Sequence, residues 1–209
     1  LLHEQDPVPG YLTTVIASNT AARAILESGR AGLPAYRDCG TYTTYVLAGK
    51  NAPLPPGIRP AGPADTEAVF ALLREAGRRR QGFPVLAPEE LGTPRLRGLG
   101  IGDFLLAERG GILLGCLAGW DQTGFRQHRV TGYADALRWL RPLLNPFLAA
   151  GGYPRLPPPG TALASLQAAL FAVPDDNPQV AADLIRGLRA RTARENRHHL
   201  CLGLHERDP

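Results

Sequence analysis

The stretch Phe104-Leu-Leu-Ala-Glu-Arg-Gly-Gly-Ile-Leu-Leu-Gly-Cys-Leu-Ala-Gly119 decides the fold of this 209-residue chain. Two apolar runs, 103–108 and 112–120, have the length of strands and are separated by Arg109-Gly110-Gly111. Adjacent glycines between two such runs are typical of a tight turn, because glycine tolerates the positive φ that the turn needs. The sequence therefore predicts a β-hairpin whose second strand is rich in small residues.

The segments before the hairpin predict an edge strand and an amphipathic helix. Ile58-Arg59-Pro60 is a short strand that contains proline, which favours the edge of a sheet. Asp65 opens the helix, and Gly77 with the arginines at 78–80 is typical of its end, where the helix dipole favours cations. The helix face that repeats with i, i+3, i+4, i+7 spacing consists of Val69, Leu72, Leu73 and Ala76.

The segments after the hairpin predict an insertion, followed by a strand, a helix and a last strand. The insertion covers residues 121–160, and its single helix is expected to pack inward through Leu137, Leu140 and Leu144. Residues 161–173 are the longest strand candidate. Asn177 caps and Pro178 begins the next helix, and leucines alternate with other residues over 200–204 in the last strand.

The N-terminal segment predicts a strand, a helix and a second strand. Residues 11–17 are rich in β-branched side chains, and residues 41–47 repeat that pattern. Between them, residues 18–20 offer N-cap candidates for a short helix that Gly29 ends.

A Pro-rich stretch at 52–57 predicts a domain boundary, because three prolines in six residues cannot continue a helix or a central strand. The expected division has three parts: residues 1–50, a linker at 51–57 and a domain at 58–209. The first part is too small to bury a core of its own.

The order of elements after the linker resembles that of the general N-acetyltransferase, or GNAT, superfamily. Ile58-Arg59-Pro60-Ala-Gly-Pro-Ala-Asp65 resembles the opening of such a domain, and the hairpin over 104–119 resembles its second and third strands. The resemblance implies an α/β (α+β) fold with a mixed, mostly antiparallel sheet flanked by helices, and here with a helical insertion between the third and fourth strands. Asn19-x-x-Ala22 resembles a junction near the end of the same fold. The chain is thus similar to the tail of one GNAT domain followed by the front of a second.

On this interpretation, the second domain lacks its last elements. In the family, a helix and two strands follow the segment that here ends at Pro209. Either the sequence is a piece that stops before them, which we favour, or the N-terminal segment packs into the gap and supplies them.

The resemblance implies acetyl-CoA or another acyl-CoA as co-substrate. In the family, backbone N–H groups at the start of a helix hold the CoA pyrophosphate, and glycines allow its close approach. The candidate contacts here are Val173, Asn177, Gln179, Ala181 and Ala182, with Asn19 in the N-terminal segment. This segment has no glycine, Pro178 lacks an N–H, and Asp175 and Asp176 oppose a pyrophosphate. We therefore expect weak CoA binding in this half.

The catalytic groups are less well defined by the resemblance. The position of the family's tyrosine general acid, four residues beyond Ala22, is Leu26. Tyr36 is a displaced candidate, and the alternative is an ordinary packed tyrosine. Glu108 is a candidate base acting through water, and the alternative is an exposed carboxylate beside a turn.

A polar and aromatic segment follows the hairpin, on the side where acceptors approach in the family. Its candidate substrate residues are Trp120, Asp121, Gln122 and Arg126. The alternative is a structural loop.

Composition restricts the other classes of function. A net charge of +4 over 209 residues, without interleaved aromatic and basic residues, does not favour nucleic-acid binding. The chain lacks an apolar run long enough for a membrane span and is expected to be cytoplasmic. His199, Cys201 and His205 diverge along one strand face, so no metal site is expected.

Two hypotheses follow. The first is an N-acyltransferase that moves an acyl group from acyl-CoA to a primary amine of a small molecule or peptide, with homodimerisation left open. The second is a catalytically degenerate GNAT-like module with a structural, regulatory or interface role.

Overall fold

The computed structural model describes residues 10, 12–30, 35–80 and 82–208. Contacts divide the chain into two units, Leu1–Tyr42 and Thr43–Pro209. In the first unit, helix α1 (Thr20–Glu27) begins after Asn19, whose side-chain oxygen accepts the Ala22 N–H at 3.1 Å. Residues 12–16 form no strand, so the strand prediction for 11–17 is wrong over that range, and Tyr11 lies outside the described residues. β-Branched residues favour a strand only where a neighbouring strand pairs with them.

A six-stranded sheet organises the second unit. Its strands are β1 (Tyr42–Ala48), β2 (Ile58–Pro60), β3 (Phe104–Arg109), β4 (Ile112–Trp120), β5 (Ser165–Ala172) and β6 (His199–His205). They lie in the order β1-β6-β5-β4-β3-β2. The pairs from β2 to β5 are antiparallel, and β5 and β6 are parallel. This confirms the predicted mixed, mostly antiparallel sheet.

The position beside β6 is taken by a strand from before the Pro-rich stretch. β1 corresponds to the strand predicted over 41–47, and it lies in the same sheet as the strands of the predicted second domain. The predicted second domain lacked the strands that follow its last one. A strand that precedes the linker therefore occupies the place beside β6. The division at 51–57 and the tandem arrangement of two domains stay predictions.

Two helices cover opposite faces of the sheet. Helix α2 (Thr66–Arg78) packs on one face through Val69, Phe70 and Leu73, together with Phe104 and Leu106 from β3. Helix α4 (Pro178–Arg194) packs on the other face through Leu184 and Leu188, together with Leu105, Leu117 and Leu200. Adjacent residues of each strand thus serve two separate cores, as the alternation of side chains along a strand requires.

The small residues of β4 have a packing role. A Cβ atom on Gly119 would lie 2.6 Å from Leu188 Cδ1 of α4. At Gly115, a Cβ atom would lie 3.0 Å from the Ala172 carbonyl oxygen of β5. Glycine therefore lets α4 and β5 approach this strand closely.

The parallel pair β5 and β6 opens part-way along its length. Their backbone pairing covers Ser165 with His199, Leu166 with Leu200 and Gln167 with Cys201. Both strands continue past that last pair, and β5 contains a bulge at which Leu170 has φ 50°. We call the opening beyond the Gln167–Cys201 pair the fork.

Helix α3 (Asp135–Ala150) lies within the predicted insertion but does not pack as predicted. Leu137 and Leu140 are exposed, and Leu144 is half-buried. Asn145 instead makes two hydrogen bonds to the backbone of Leu156, at 2.8 and 3.1 Å. The helix face that carries Asn145 therefore lies against its own Pro-rich segment, which turns the two leucines outward.

Candidate functional site

Two rows of side chains cross the sheet at the base of the fork, on the face that α2 covers. The first row consists of Trp120 on β4, Gln167 on β5 and Cys201 on β6, which are paired across the three strands. The second row contains Ser165 and His199, one step further from the fork. Because side chains alternate along a strand, residues two apart share a face, and both rows point to the same side.

Trp120 contacts both the loop that precedes β3 and Phe125, which follows β4. Its indole N–H donates to the Arg97 carbonyl oxygen at 2.9 Å, and its ring centroid lies 5.9 Å from that of Phe125. The Arg97 guanidinium lies 6.0 Å from the Phe125 ring centroid. Phe125 and Arg97 are exposed, so they form a rim beside the two rows.

The residues after Trp120 form a compact polar turn. Asp121 accepts hydrogen bonds from the Thr123 N–H at 2.9 Å and hydroxyl at 2.6 Å, and it forms an ion pair with Arg197. Burial raises the pKa of Asp121, but these hydrogen bonds and the Arg197 charge outweigh burial and leave the pKa below its ordinary value. The carboxylate is therefore ionised and already paired.

Gln122 has a buried acceptor that no described group satisfies. Its Oε1 atom is inaccessible to solvent and has no hydrogen-bond partner in the part of the chain that the structure describes. Arg126 is exposed, and its backbone N–H donates to the Gln122 carbonyl oxygen at 2.7 Å. Among the predicted substrate residues, Trp120 pairs with Gln167 at the base of the fork, and Asp121 and Gln122 follow it in the turn. The Arg126 side chain lies at the surface.

The start of α4 differs from the predicted anion cradle. The Asn177 side-chain oxygen accepts the N–H groups of Gln179 at 2.9 Å and Val180 at 3.3 Å, and the Asn177 carbonyl accepts that of Ala181 at 3.0 Å. Pro178 has no N–H. The N–H groups of residues 179–181 are therefore already bonded. The other candidate contacts are a buried Val173, an Ala181 that packs in the α4 core and a half-buried Ala182.

Two arginines at the end of α2 neutralise Asp176. Its carboxylate oxygens lie 2.9 Å from both Arg79 and Arg80 guanidinium nitrogens. Asp176 has φ 50°, a backbone conformation that Asp and Asn adopt more readily than other side chains. Arg80 also lies 3.5 Å from an Asp208 carboxylate oxygen. Two cations thus lie beside the α4 N-terminus, both paired with Asp176 and one of them also with Asp208.

The remaining sequence candidates have other structural roles. Glu108 accepts a hydrogen bond at 2.8 Å from Arg59 on the edge strand β2. Arg59 also forms an ion pair with Asp65 at 2.7 Å. This places Glu108 on β3, two strands from β5, instead of beside the fork. Asn19 caps α1, and Tyr36 is partly exposed in the first unit.

Sequence reasoning did not single out Ser165, and it considered His199 only as a metal ligand. Ser165 is only 5% exposed, and its oxygen accepts a hydrogen bond from Gln167 at 3.4 Å. His199 is half-buried, and its Nδ1 atom is inaccessible without a partner among the described residues. Burial, together with the nearby His198, lowers the pKa of His199 below its ordinary value. Polar residues spaced by two in otherwise apolar strands were the available signal.

Two further findings concern metals and membranes. Among the described residues, no three His, Cys, Asp or Glu side chains gather as they would around a metal ion. Within the same residues, no helix combines the length and the apolar character needed to span a bilayer.

Comparison with solved structures places this geometry in a known fold. A similar solved structure is described as a GCN5-related N-acetyltransferase from Sphaerobacter thermophilus, with a TM-score of 0.54 and 16% sequence identity. The chain has the GNAT fold. The match covers 92% of this chain and 50% of that structure, so the chain spans half the length of its GNAT-fold neighbour. No family model and no curated protein matches the sequence.

Proposed function

We propose that this chain is an acyl-CoA-dependent N-acyltransferase that transfers an acyl group to a primary amine. The observation that carries this proposal is the fork, where the parallel strands β5 and β6 separate beyond Gln167 and Cys201. The GNAT fold of the second unit agrees with it.

The fork suits an extended ligand that contains amides. Past the last pair, 168–172 of β5 and 202–204 of β6 no longer pair with each other among the described residues. Backbone N–H and C=O groups inside a sheet need partners, and a strand-like ligand supplies them in the same manner as an added strand. The pantetheine arm of CoA is extended and carries two amides, so it fits this opening with its thioester at the base.

The phosphate end of CoA needs cations, because the first N–H groups of α4 are already used. Arg79 and Arg80 are the cations placed beside this helix end, and both now bind Asp176. A pyrophosphate that takes over these guanidinium groups would form strong charge-assisted hydrogen bonds. Displacing Asp176 costs part of that gain, so we expect binding that is weaker than a glycine-rich cradle provides.

Direct detection of products tests the proposal. The chain is incubated with acetyl-CoA and a panel of amines, namely spermidine, ethanolamine, a lysine peptide and an aminoglycoside, and both CoA and N-acetyl product are measured by mass spectrometry. We expect amine-dependent formation of equal amounts of both. Formation of CoA at the rate of buffer alone with every amine would count against the proposal.

The same assay separates this proposal from the non-catalytic module. That alternative predicts no turnover even when acetyl-CoA binds, and the comparisons give it no support. Homodimerisation stays a prediction.

A further inference from the structure

We propose that helix α3 is the interface of a homodimer, in which the α3 helices of two copies of this chain pair antiparallel about a twofold axis at Leu143. This inference goes beyond acyl transfer and does not depend on it. It starts from the exposed side of the helix, which consists of Ala136, Trp139, Leu140, Leu143, Phe147 and Ala150. We call these six residues the α3 face.

The α3 face presents a continuous apolar surface. Trp139 is 77% exposed, Phe147 is 76% exposed and Leu143 is 65% exposed. A large aromatic side chain has about 150–250 Å² to bury, so these residues and Leu140 together present roughly 600 Å². Apolar patches of that size are at the upper end of what a monomeric protein exposes, and they mark interaction surfaces.

The described contacts give α3 little tertiary packing. All 16 residues of the helix lie within the described range, and none of them is buried. Helices of this length are marginal in water on their own, and Pro142 and Pro146 each remove one hydrogen bond from the helix. The inner side is half-buried and includes Arg141 and Asn145, which bond to the backbone of Leu156. Burial of the α3 face would add the packing on which most helices depend.

The α3 face is complementary to itself. In an antiparallel pair centred on Leu143, Trp139 lies opposite the partner's Phe147, because each is four residues from the centre. Ala136 likewise lies opposite the partner's Ala150, each seven residues from the centre. A twofold axis requires one patch to match its own copy, and here an aromatic ring meets an aromatic ring at both ends of the contact. The alanines beyond them let the two helices approach closely.

The charges around the α3 face favour a protein surface over a lipid surface. A helix that lies on a membrane combines its apolar side with a polar side rich in Lys and Arg. Of the two cations in α3, Arg138 lies 5.5 Å from the Trp139 ring centroid, and Arg141 turns inward to the Leu156 carbonyl oxygen at 3.4 Å. Asp135, in the first turn, would be repelled by anionic headgroups. A second copy of the chain offers the uncharged apolar surface that this face matches.

The area sets the expected strength of the dimer. Two α3 faces together bury roughly 1,200 Å², which is the lower end of the range for specific protein interfaces. We therefore expect a reversible dimer with a dissociation constant on the order of 10 μM.

Sedimentation velocity on the full chain between about 1 and 200 μM tests the dimer. The wild type should shift from monomer to dimer over this range. Leu143→Lys places two ammonium groups against each other at the axis, so its dissociation constant should rise at least about 100-fold. Val85→Lys is the matched control, because Val85 is an isolated, 82% exposed side chain in the loop between α2 and β3, and it should dimerise as the wild type does. A wild type that stays monomeric, or a dimer that Leu143→Lys leaves intact, would overturn the proposal.

Cysteine cross-linking tests the antiparallel pairing independently of that substitution. With the exposed Cys39 replaced by Ser, Leu143→Cys should form an intermolecular disulfide under mild oxidation, and Val85→Cys should not. Trp139→Cys mixed with Phe147→Cys should cross-link at least about threefold more than either variant alone, because position 139 faces position 147 of the other copy. Equal cross-linking of the mixture and the separate variants would contradict this pairing.

Vesicles of phosphatidylcholine and phosphatidylglycerol test the competing occupant. The wild type should remain in solution when they are added. Binding of monomers to the vesicles, with a blue shift of tryptophan emission that Trp139→Phe abolishes, would overturn the homodimer in favour of a membrane surface.

Discussion

Replacing Asp176 with Asn should strengthen CoA binding. The substitution removes one negative charge beside the proposed pyrophosphate site and leaves Arg79 and Arg80 without the carboxylate that each now contacts at 2.9 Å. Asn also accepts the positive φ of this position, so the loop keeps its shape. These ion pairs are largely exposed, and their loss should change the free energy of unfolding by less than about 1 kcal/mol.

The size of the effect follows from Coulomb's law. At an effective dielectric of about 20, two unit charges about 10 Å apart interact by about 1.7 kcal/mol. Screening at physiological salt reduces this to about 0.5 kcal/mol, so a pyrophosphate with two charges gains about 1 kcal/mol. Affinity for acetyl-CoA should therefore rise about fivefold through the charge alone, because 1.4 kcal/mol corresponds to tenfold. Release of Arg79 adds to this gain, whereas Arg80 keeps its contact with Asp208.

Calorimetry with acetyl-CoA on three variants checks the reasoning. Asp175→Asn makes the same charge change at the neighbouring exposed position and should give a smaller gain than Asp176→Asn. Arg79→Ala should weaken binding. If Asp176→Asn binds no more tightly than the wild type and Arg79→Ala binds equally well, the phosphates do not use this loop.

Three further outcomes concern the framework of the site. Asn177→Ala should lower the free energy of unfolding in urea by about 1 kcal/mol, because it removes the cap of α4, whereas Asn51→Ala at an exposed position should not. Gly57→Ala should lower the free energy of unfolding by more than about 2 kcal/mol, since Gly57 has φ 78° and an added Cβ would lie 2.7 Å from the Glu108 carbonyl oxygen. Gly124→Ala is the control, because the space around Gly124 is open. In thiol labelling followed by mass spectrometry, Cys39 should react and Cys116 should not, because burial raises the pKa of Cys116 to about 12; equal labelling rates in the folded chain would contradict the buried position of Cys116.

The elements that the sequence predicted well depend on local chemistry. Gly110 and Gly111 have φ of 57° and 78°, as the predicted hairpin turn requires, and Asn177 caps the helix that Pro178 begins. Each of these signals acts within a few residues along the chain. Periodicity could likewise identify α2 and α4, because one strong apolar stripe faces the sheet in each.

The incorrect or missing predictions depend on contacts between distant segments. The spacing of Leu137 and Leu140 indicated a helix but could not show that Asn145 would bind Leu156 and turn those leucines outward. In the same way, Ser165 and His199 lie far apart in the sequence and meet only through the parallel register of β5 and β6. No pattern within a single stretch of the sequence shows which residues of β5 pair with which residues of β6. The second row of the candidate site therefore became visible only in the structure.

Backbone NMR on the isotope-labelled chain tests the central claim, that acyl-CoA binds in the fork. On titration with acetyl-CoA, the account predicts saturable shifts in the amides of 168–172 and 202–204, with smaller changes near Arg79 and Asp176 and none along α3. Absence of saturable shifts up to millimolar acetyl-CoA, or shifts confined to residues outside β5 and β6, would contradict it.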